Sequence, residues 1–238
     1  MTEHNLRTDK IILMGDSHSA ATVTTFIRDK ISEGETVVHV GDVGVGFGLE
    51  SYALDNAKTW IGMLNDICVK KNIVLYLVRG NHDNPLCWTW PNRSNVIFVQ
   101  TGDVGYFPNG KKTLFIGGGI SVDRTIRRQG YNYWFDEITE KLEHVTKTDF
   151  VFTHDAPEEF NHPTRTLPNG WGWYVDRDVM LMEDSRKQRA NVTKICHESG
   201  AKFIISGHFH NSFKETLGEV KYQCLNINEL FSFDAQEY

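Results

Sequence analysis

Residues 10–18 read Lys-Ile-Ile-Leu-Met-Gly-Asp-Ser-His, an apolar run that ends at a glycine and is followed by polar side chains. A short apolar run with a glycine stop is typical of a strand that is buried on both faces. Asp16 and His18 therefore stand where a strand ends. Because ligands of α/β proteins usually bind beyond the carboxyl ends of the strands, we expect these two side chains to be functional.

The same arrangement recurs four times along the chain. Apolar runs that lead into a glycine or a histidine lie at residues 36–40, 73–78, 150–152 and 203–205. Further strands are predicted at residues 96–99, 113–116 and 220–227. The last two follow the turn signals Asn109-Gly110 and Gly218-Glu219. These strands are numerous enough for two sheets.

Three segments between the strands have apolar residues at helical spacing: residues 20–31, 52–71 and 189–199. Gly34 and Gly200 stand just beyond the first and the third, where helices commonly stop. Alternation of strands and helices indicates an α/β protein.

Length and composition predict one domain over residues 1–238, with 40% hydrophobic and 24% charged residues. The net charge of -6 disfavours broad binding to duplex nucleic acid. No apolar run is long enough to span a membrane, and the first ten residues lack the apolar region of a signal peptide, so we expect a cytoplasmic protein. The cysteines are far apart, which predicts reduced thiols: Cys68, Cys87, Cys196 and Cys224.

Nine polar residues stand at the ends of five predicted strands. They are Asp16, His18, Asp42, Asn81, His82, Asp83, His154, His208 and His210. A single Asp or His after a strand is more often a turn former or a helix cap than a ligand. An ordered set at five strand ends is hard to explain in that way and favours one functional crevice.

Imidazole and carboxylate side chains together suit divalent transition metals rather than calcium or magnesium. Two such ions would bring four positive charges, of which Asp16 and Asp42 would neutralise two. The centre would remain cationic and ready to receive a phosphate group. Two adjacent metals can hold a hydroxide between them and clamp both oxygens of an in-line displacement, so the expected chemistry is phosphoester hydrolysis.

Five sequence blocks, in this order, resemble those of the calcineurin-like metallophosphoesterases: Gly15-Asp16-Ser17-His18, Gly41-Asp42, Gly80-Asn81-His82-Asp83, His154 and Gly207-His208-Phe209-His210. The resemblance implies a four-layer αββα sandwich, with two mixed sheets flanked by helices. It also implies that Asp16, His18 and His210 hold one metal, that Asn81, His154 and His208 hold the other, and that Asp42 bridges them. His82 would be the general acid, with Asp83 fixing or charging its imidazole. Manganese is the favoured metal, with zinc, iron or nickel as alternatives.

The expected function is hydrolysis of a phosphate monoester or diester in a small or exposed substrate. The Val-Asp-Arg-Gly sequence of Ser/Thr protein phosphatases is absent after Asp42, which disfavours that activity. A nuclease or cyclic-nucleotide phosphodiesterase of the same superfamily remains an alternative. A non-catalytic scaffold that has kept the fold is another.

Several further residues are candidates for substrate binding. Arg124 and Arg127 follow three glycines and suit phosphate oxygens, although a solvated helix face explains them equally well. Trp171 belongs to an aromatic loop, residues 161–174, which follows His154 and is the best candidate for substrate selection. The glycine-rich segments 44–48 and 117–119 do not match a nucleotide-binding loop and are predicted to be tight turns.

Overall fold

The computed structural model describes residues 1–160 and 174–238. The strands in these ranges are β1 Glu3–Asn5, β2 Lys10–Met14, β3 Thr36–His39, β4 Val74–Leu77, β5 Val96–Phe98, β6 Val104–Tyr106, β7 Lys112–Ile116, β8 Phe150–Thr153, β9 Phe203–Ser206, β10 Phe213–Leu217, β11 Val220–Cys224 and β12 Leu230–Asp234. The helices that flank the sheets are α1 Ala20–Asp29, α2 Leu54–Lys70 and α3 Leu181–Ser199.

The strands form two mixed sheets. One has five strands in the order β12-β2-β3-β4-β5, parallel throughout except for β12. The other has seven strands in the order β1-β6-β7-β8-β9-β11-β10, with a parallel centre from β7 to β11. The polar loops after β2, β3 and β4 therefore leave the same edge of the first sheet, and those after β8 and β9 leave one edge of the second.

Alternating side chains of the central strands enter different layers. On β2, Ile11 and Leu13 lie in the core between the two sheets, whereas Met14 packs with α1 and α2. On the second sheet, Phe115 faces the same central core and Leu114 packs with α3. The predicted four-layer αββα sandwich is confirmed, and burial on both faces explains why these strands are continuously apolar.

The predicted elements are present, with three differences. Helix α3 begins at Leu181 instead of residue 189, since its first two turns are rich in charge and lack a clear apolar stripe. Strand β11 ends at Cys224 instead of residue 227. The short strand β6 and the edge strands β1, β10 and β12 were not predicted from the sequence, because they contain few consecutive apolar residues.

All four cysteines are buried free thiols, as predicted. No helix in the described parts of the chain has the length and apolar character needed to cross a membrane.

Candidate metal centre

The nine predicted polar residues follow strands of both sheets, and seven of them belong to two clusters or lie beside one. The first cluster consists of Asp16, His18, Asp42 and His210, whose ligand atoms lie within 4.8 Å of one another. Nε2 of His18 lies 2.8 Å from Nε2 of His210 and 3.8 Å from Oδ2 of Asp42. Oδ2 of Asp16 lies 3.2 Å from Nε2 of His210.

The second cluster consists of Asp42, His154 and His208, again within 4.8 Å. Nε2 of His154 lies 3.3 Å from Oδ1 of Asp42 and 3.0 Å from Oδ1 of Asn81. Asn81 therefore joins this cluster through its carbonyl oxygen. Asp42 belongs to both clusters, with a different oxygen facing each one.

The donor set fits two transition-metal ions. Metal bonds of about 2.0 to 2.2 Å to nitrogen and oxygen place neighbouring ligand atoms roughly 3 Å apart, and the nearest pairs in the two clusters, at 2.8 to 3.3 Å, have this spacing. Nδ1 of His154 lies 2.9 Å from the carbonyl oxygen of Val40. Since a carbonyl can only accept, Nδ1 carries a proton, and Nε2 is the nitrogen that faces the cluster and would release any proton of its own when an ion binds.

Backbone strain is concentrated at this centre. Among the non-glycine residues that the structure describes, six have positive φ, and four of these are predicted ligands: His18, Asp42, His208 and His210. Asp, Asn and His tolerate this conformation better than most residues, but it still costs free energy. Such strain persists where the surroundings hold the chain in place, and it is commonly found at functional sites.

Backbone N–H groups hold the two carboxylates. The amide of His208 donates to both oxygens of Asp16 at 3.0 Å, and the amide of His82 donates to Oδ1 of Asp42 at 2.7 Å. Each contact links the loop of one strand to the loop of another. The carboxylates are therefore positioned before any ion binds.

The two carboxylates differ in their pKa. Burial raises the pKa of Asp42 to about 7 and outweighs the charge of His154, while the nearby charge of Asp16 raises it further. Burial also acts to raise the pKa of Asp16, but its hydrogen bond to His210 and the charge of His154 bring it well below the usual range. A proton on Asp42 would have to leave when a cation binds there.

Two glycines leave room for these carboxylates. A Cβ atom at Gly80 would lie 2.1 Å from Oδ1 of Asp42, and one at Gly207 would lie 2.1 Å from Oδ1 of Asp16. Neither distance is compatible with van der Waals contact. The glycine that precedes Asn81 and the glycine that precedes His208 are thus required by a ligand from another strand.

His82 lies beside the clusters in a small cavity of about 130 Å³, which is also lined by Asp42, Asn81 and His208. Its imidazole stacks on Phe47, with 4.6 Å between ring centroids, and its Nε2 lies 2.7 Å from Nη2 of Arg127. Burial, followed by the charge of Arg127, lowers the pKa of His82 well below its usual value. In this arrangement His82 is neutral.

The expectation that Asp83 fixes the imidazole of His82 is wrong. The carboxylate of Asp83 is fully buried and accepts from the backbone amides of Val43, Gly44 and Val45 and from that of Gly80. It ties the glycine-rich turn after Asp42 to the turn after β4. Although Asp83 is adjacent to His82 in sequence, its carboxylate accepts hydrogen bonds from backbone amides, and Arg127 is the residue that contacts Nε2 of the imidazole.

The candidates for substrate binding fall in different places. Arg127 lines the small cavity with His82, and its Nε lies 2.6 Å from Oδ1 of Asp123. Arg124 does not: its guanidinium binds the carboxylates of Asp178 and Asp184, at 2.5 and 2.7 Å, and it lines another cavity. The guanidinium of Arg124 is therefore paired within the protein and lies in neither a phosphate cavity nor a solvated helix face. Trp171 and the rest of the aromatic loop, except Tyr174, lie outside the described residues.

Three residues at the site were not predicted from the sequence. Phe47 lies in the glycine-rich turn after Asp42, and its ring covers one face of His82. Ser121 and Glu137 lie in the long loop between β7 and β8 and are linked to Asn81 by hydrogen bonds. The only signal for Ser121 was its position just after the three glycines, and Glu137 had none.

Comparison with known proteins identifies a family. The model of the family described as calcineurin-like phosphoesterase matches residues 9–212 of the chain, a range that contains every predicted metal ligand. No curated protein matches the chain. One crystal structure aligns with 95% of this chain and 98% of its own, at 12% sequence identity and a TM-score of 0.49. That likeness is too low to support an argument about function.

Proposed function

The chain belongs to the calcineurin-like phosphoesterase family, and we propose that it hydrolyses phosphoesters with two bound transition-metal ions. One observation carries the proposal: the two oxygens of Asp42 face two separate clusters of ligand atoms. A bridging carboxylate of this kind is suited to a pair of ions rather than to one.

We assign the ligands as the two clusters suggest. Asp16, His18 and His210 would hold one ion, Asn81, His154 and His208 the other, and Asp42 both. The mixture of imidazole, carboxylate and amide donors supports manganese, with zinc, iron and nickel as alternatives. When bound, the two ions would supply positive charge to the phosphate oxygens and a water activated for in-line attack.

The size of the cavity supports a small or exposed substrate. At about 130 Å³, the space next to the clusters suits a phosphate group, whereas pockets that enclose a whole drug-sized ligand are roughly 300 to 1,000 Å³. The remainder of the substrate would project out of the cavity. Arg127, at its wall, would contact a non-bridging phosphate oxygen.

His82 would act as the general acid once Arg127 has moved to the phosphate. Arg127 now donates to Nε2 of His82, so that nitrogen cannot carry the proton that a leaving group needs. A bound phosphate would attract the guanidinium and leave Nε2 free to be protonated. Phe47 would hold the imidazole plane in place during this exchange.

The test compares esters whose leaving groups differ in basicity. Metal-stripped protein is loaded with manganese and assayed with para-nitrophenyl phosphate, bis-para-nitrophenyl phosphate and phenyl phosphate. We expect turnover that depends on the metal. In His82→Gln, kcat should fall by about 10² to 10⁴-fold for phenyl phosphate, whose leaving group needs a proton, and by less for the nitrophenyl esters.

His144→Gln is the matched control, because His144 is exposed in the loop before β8. It should leave every rate unchanged. If the manganese-loaded protein hydrolyses none of the esters, the proposed activity is refuted and the scaffold alternative gains. If His82→Gln slows all three esters equally, His82 is not the general acid.

A further inference from the structure

The side chain of Ser121 is buried beside the second cluster and contacts several other side chains. Ser121 is 1% exposed and follows the glycines at 117–119. Three side chains lie within hydrogen-bond distance of its hydroxyl oxygen: Nδ2 of Asn81 at 3.1 Å, Nη1 of Arg127 at 3.0 Å and Oε2 of Glu137 at 2.8 Å.

These contacts use the full hydrogen-bonding capacity of the hydroxyl. A serine hydroxyl can donate once and accept twice, and an arginine can only donate. Glu137 also accepts from the backbone amide of Ser121 at 2.7 Å through its other oxygen. With Glu137 as the carboxylate, Ser121 donates its proton to Oε2 and accepts from Arg127 and Asn81.

This arrangement allows a single orientation of the Asn81 amide. Because Ser121 accepts from Nδ2, Oδ1 points the other way, to within 3.0 Å of Nε2 of His154. The opposite orientation would direct an NH₂ group, which cannot ligate a cation, towards the second cluster. A buried hydroxyl outside the ligand set thus decides whether Asn81 presents an oxygen there.

The same hydroxyl helps to position Arg127. Nη1 of Arg127 donates to Ser121 and to the carbonyl oxygen of Asn132 at 3.2 Å, and Nε lies 2.6 Å from Oδ1 of Asp123, which leaves Nη2 to face His82. One serine therefore contacts both a residue of the metal cluster and a residue of the phosphate cavity.

The glycine two residues before Ser121, Gly119, allows this approach. A Cβ atom at Gly119 would lie 3.1 Å from Cδ2 of His154, 3.2 Å from Oδ1 of Asn81 and 3.3 Å from Cε1 of His208. Such contacts would force these neighbours to shift. The glycine brings the backbone close enough for Ser121 to reach Asn81.

We propose that Ser121 and Glu137 are positioning residues that orient Asn81 towards the second metal ion and Arg127 towards the substrate phosphate. This inference rests on the proposed function, since it takes Asn81 to be a metal ligand and Arg127 a phosphate contact. Neither Ser121 nor Glu137 would touch an ion. Each would act through the residue that it orients.

The experiment measures manganese binding to metal-stripped Ser121→Ala by electron paramagnetic resonance and calorimetry. Loss of a group that orients a ligand typically weakens metal binding about 10 to 100-fold. We expect one of two manganese ions to bind that much more weakly and the other to bind as in the wild type. With phenyl phosphate at saturating manganese, KM should also rise, because Arg127 loses an anchor.

Ser199→Ala is the matched control. Ser199 is also 1% exposed, and at the end of α3 its hydroxyl donates to the carbonyl oxygen of Cys196 and accepts from the backbone amide of Ala201. This variant removes an equally buried hydroxyl that precedes β9, whereas the predicted ligands His208 and His210 follow that strand. It should bind both manganese ions as the wild type does.

Glu137→Gln tests the direction of the hydrogen bonds if Ser121→Ala does not fold. The glutamine carbonyl would accept from the Ser121 amide, and its NH₂ group would then donate to the hydroxyl. The serine proton loses its acceptor and competes with the amide of Asn81. We expect the same selective loss of one manganese ion.

The inference would be overturned if a folded Ser121→Ala or Glu137→Gln protein bound both manganese ions with the affinities of the wild type. Equal weakening of both ions in these variants and in Ser199→Ala would also overturn it, because the effect would then be general destabilisation. A wild-type protein that binds two manganese ions without hydrolysing any ester refutes the proposed activity instead. The manganese affinities of the variants separate the two failures.

Discussion

Nη2 of Arg127 lies 2.7 Å from Nε2 of His82. An arginine only donates, so Nε2 of His82 is an acceptor and the imidazole proton is on Nδ1. A phosphate oxygen in the cavity would compete for the guanidinium, because a charged acceptor forms the stronger hydrogen bond. Arg127 therefore links the arrival of a substrate to the state of His82.

Replacing Arg127 with alanine should lower kcat/KM for phenyl phosphate by about 10 to 100-fold, since a hydrogen bond to a charged group contributes about 1.5 to 3 kcal/mol. Steady-state kinetics at saturating manganese measures this effect. Arg128→Ala is the control: Arg128 is an exposed neighbour whose guanidinium stacks on Tyr131 and binds Glu50. Equal losses in both variants would show that Arg127 has no specific contact with the phosphate.

Gly80→Ala and Gly207→Ala should destabilise the protein and abolish tight manganese binding, because each added Cβ would overlap a carboxylate. Overpacking of this kind costs about 1 to 3 kcal/mol. Urea unfolding and calorimetry measure the two effects. Gly62→Ala is the control, since a Cβ in that helical position meets nothing within 4 Å, and it should raise stability by about 0.5 to 1 kcal/mol. Normal manganese binding in Gly80→Ala would contradict the geometry.

His39 should make the metal-free protein less stable as the pH falls from 7.5 to 5, while buried carboxyls with a raised pKa, such as Asp42, act in the opposite direction. Burial lowers the pKa of His39 in the folded protein to about 3, compared with about 6.5 in an unfolded chain. The unfolded chain takes up the proton first, so stability present above pH 6.5 is lost on acidification, by about 2 kcal/mol at pH 5.

Urea unfolding of the wild type and His39→Gln at the two pH values isolates this contribution. The variant keeps a polar partner for the hydroxyl of Ser17, which lies 3.0 Å from Nε2 of His39, but it does not titrate. Its free energy of unfolding should therefore fall less on acidification than that of the wild type. An identical fall in both proteins would show that His39 does not contribute to the pH dependence.

The sequence predicted the central strands, and with them the carboxyl ends at which the site forms. Burial on both faces of these strands leaves an uninterrupted apolar run. Ile11 to Met14 and Phe203 to Ile205 are examples. Edge strands lack this signal: Glu3–Asn5 pairs on one side only and consists of polar residues. The first turns of α3 were not recognised as helical, because charged residues such as Glu183 and Asp184 interrupt the apolar spacing.

The side-chain partners within the site were less predictable. Adjacency in sequence suggested that Asp83 contacts the imidazole of His82, but its carboxylate accepts hydrogen bonds from the backbone of another loop. Ser121 and Glu137 meet across a loop without periodic structure, so no spacing rule brings them together. Such contacts depend on the path of the chain in three dimensions.

The number of manganese ions bound per chain tests the central claim most directly. Metal-stripped wild type, Asp42→Asn and the control Asp55→Asn, which changes an exposed aspartate in α2, are dialysed against manganese and their metal content is determined. We predict two ions in the wild type and in Asp55→Asn, and loss of tight binding at both positions in Asp42→Asn. One ion or none in the wild type, or two ions retained in Asp42→Asn, would contradict a centre bridged by Asp42.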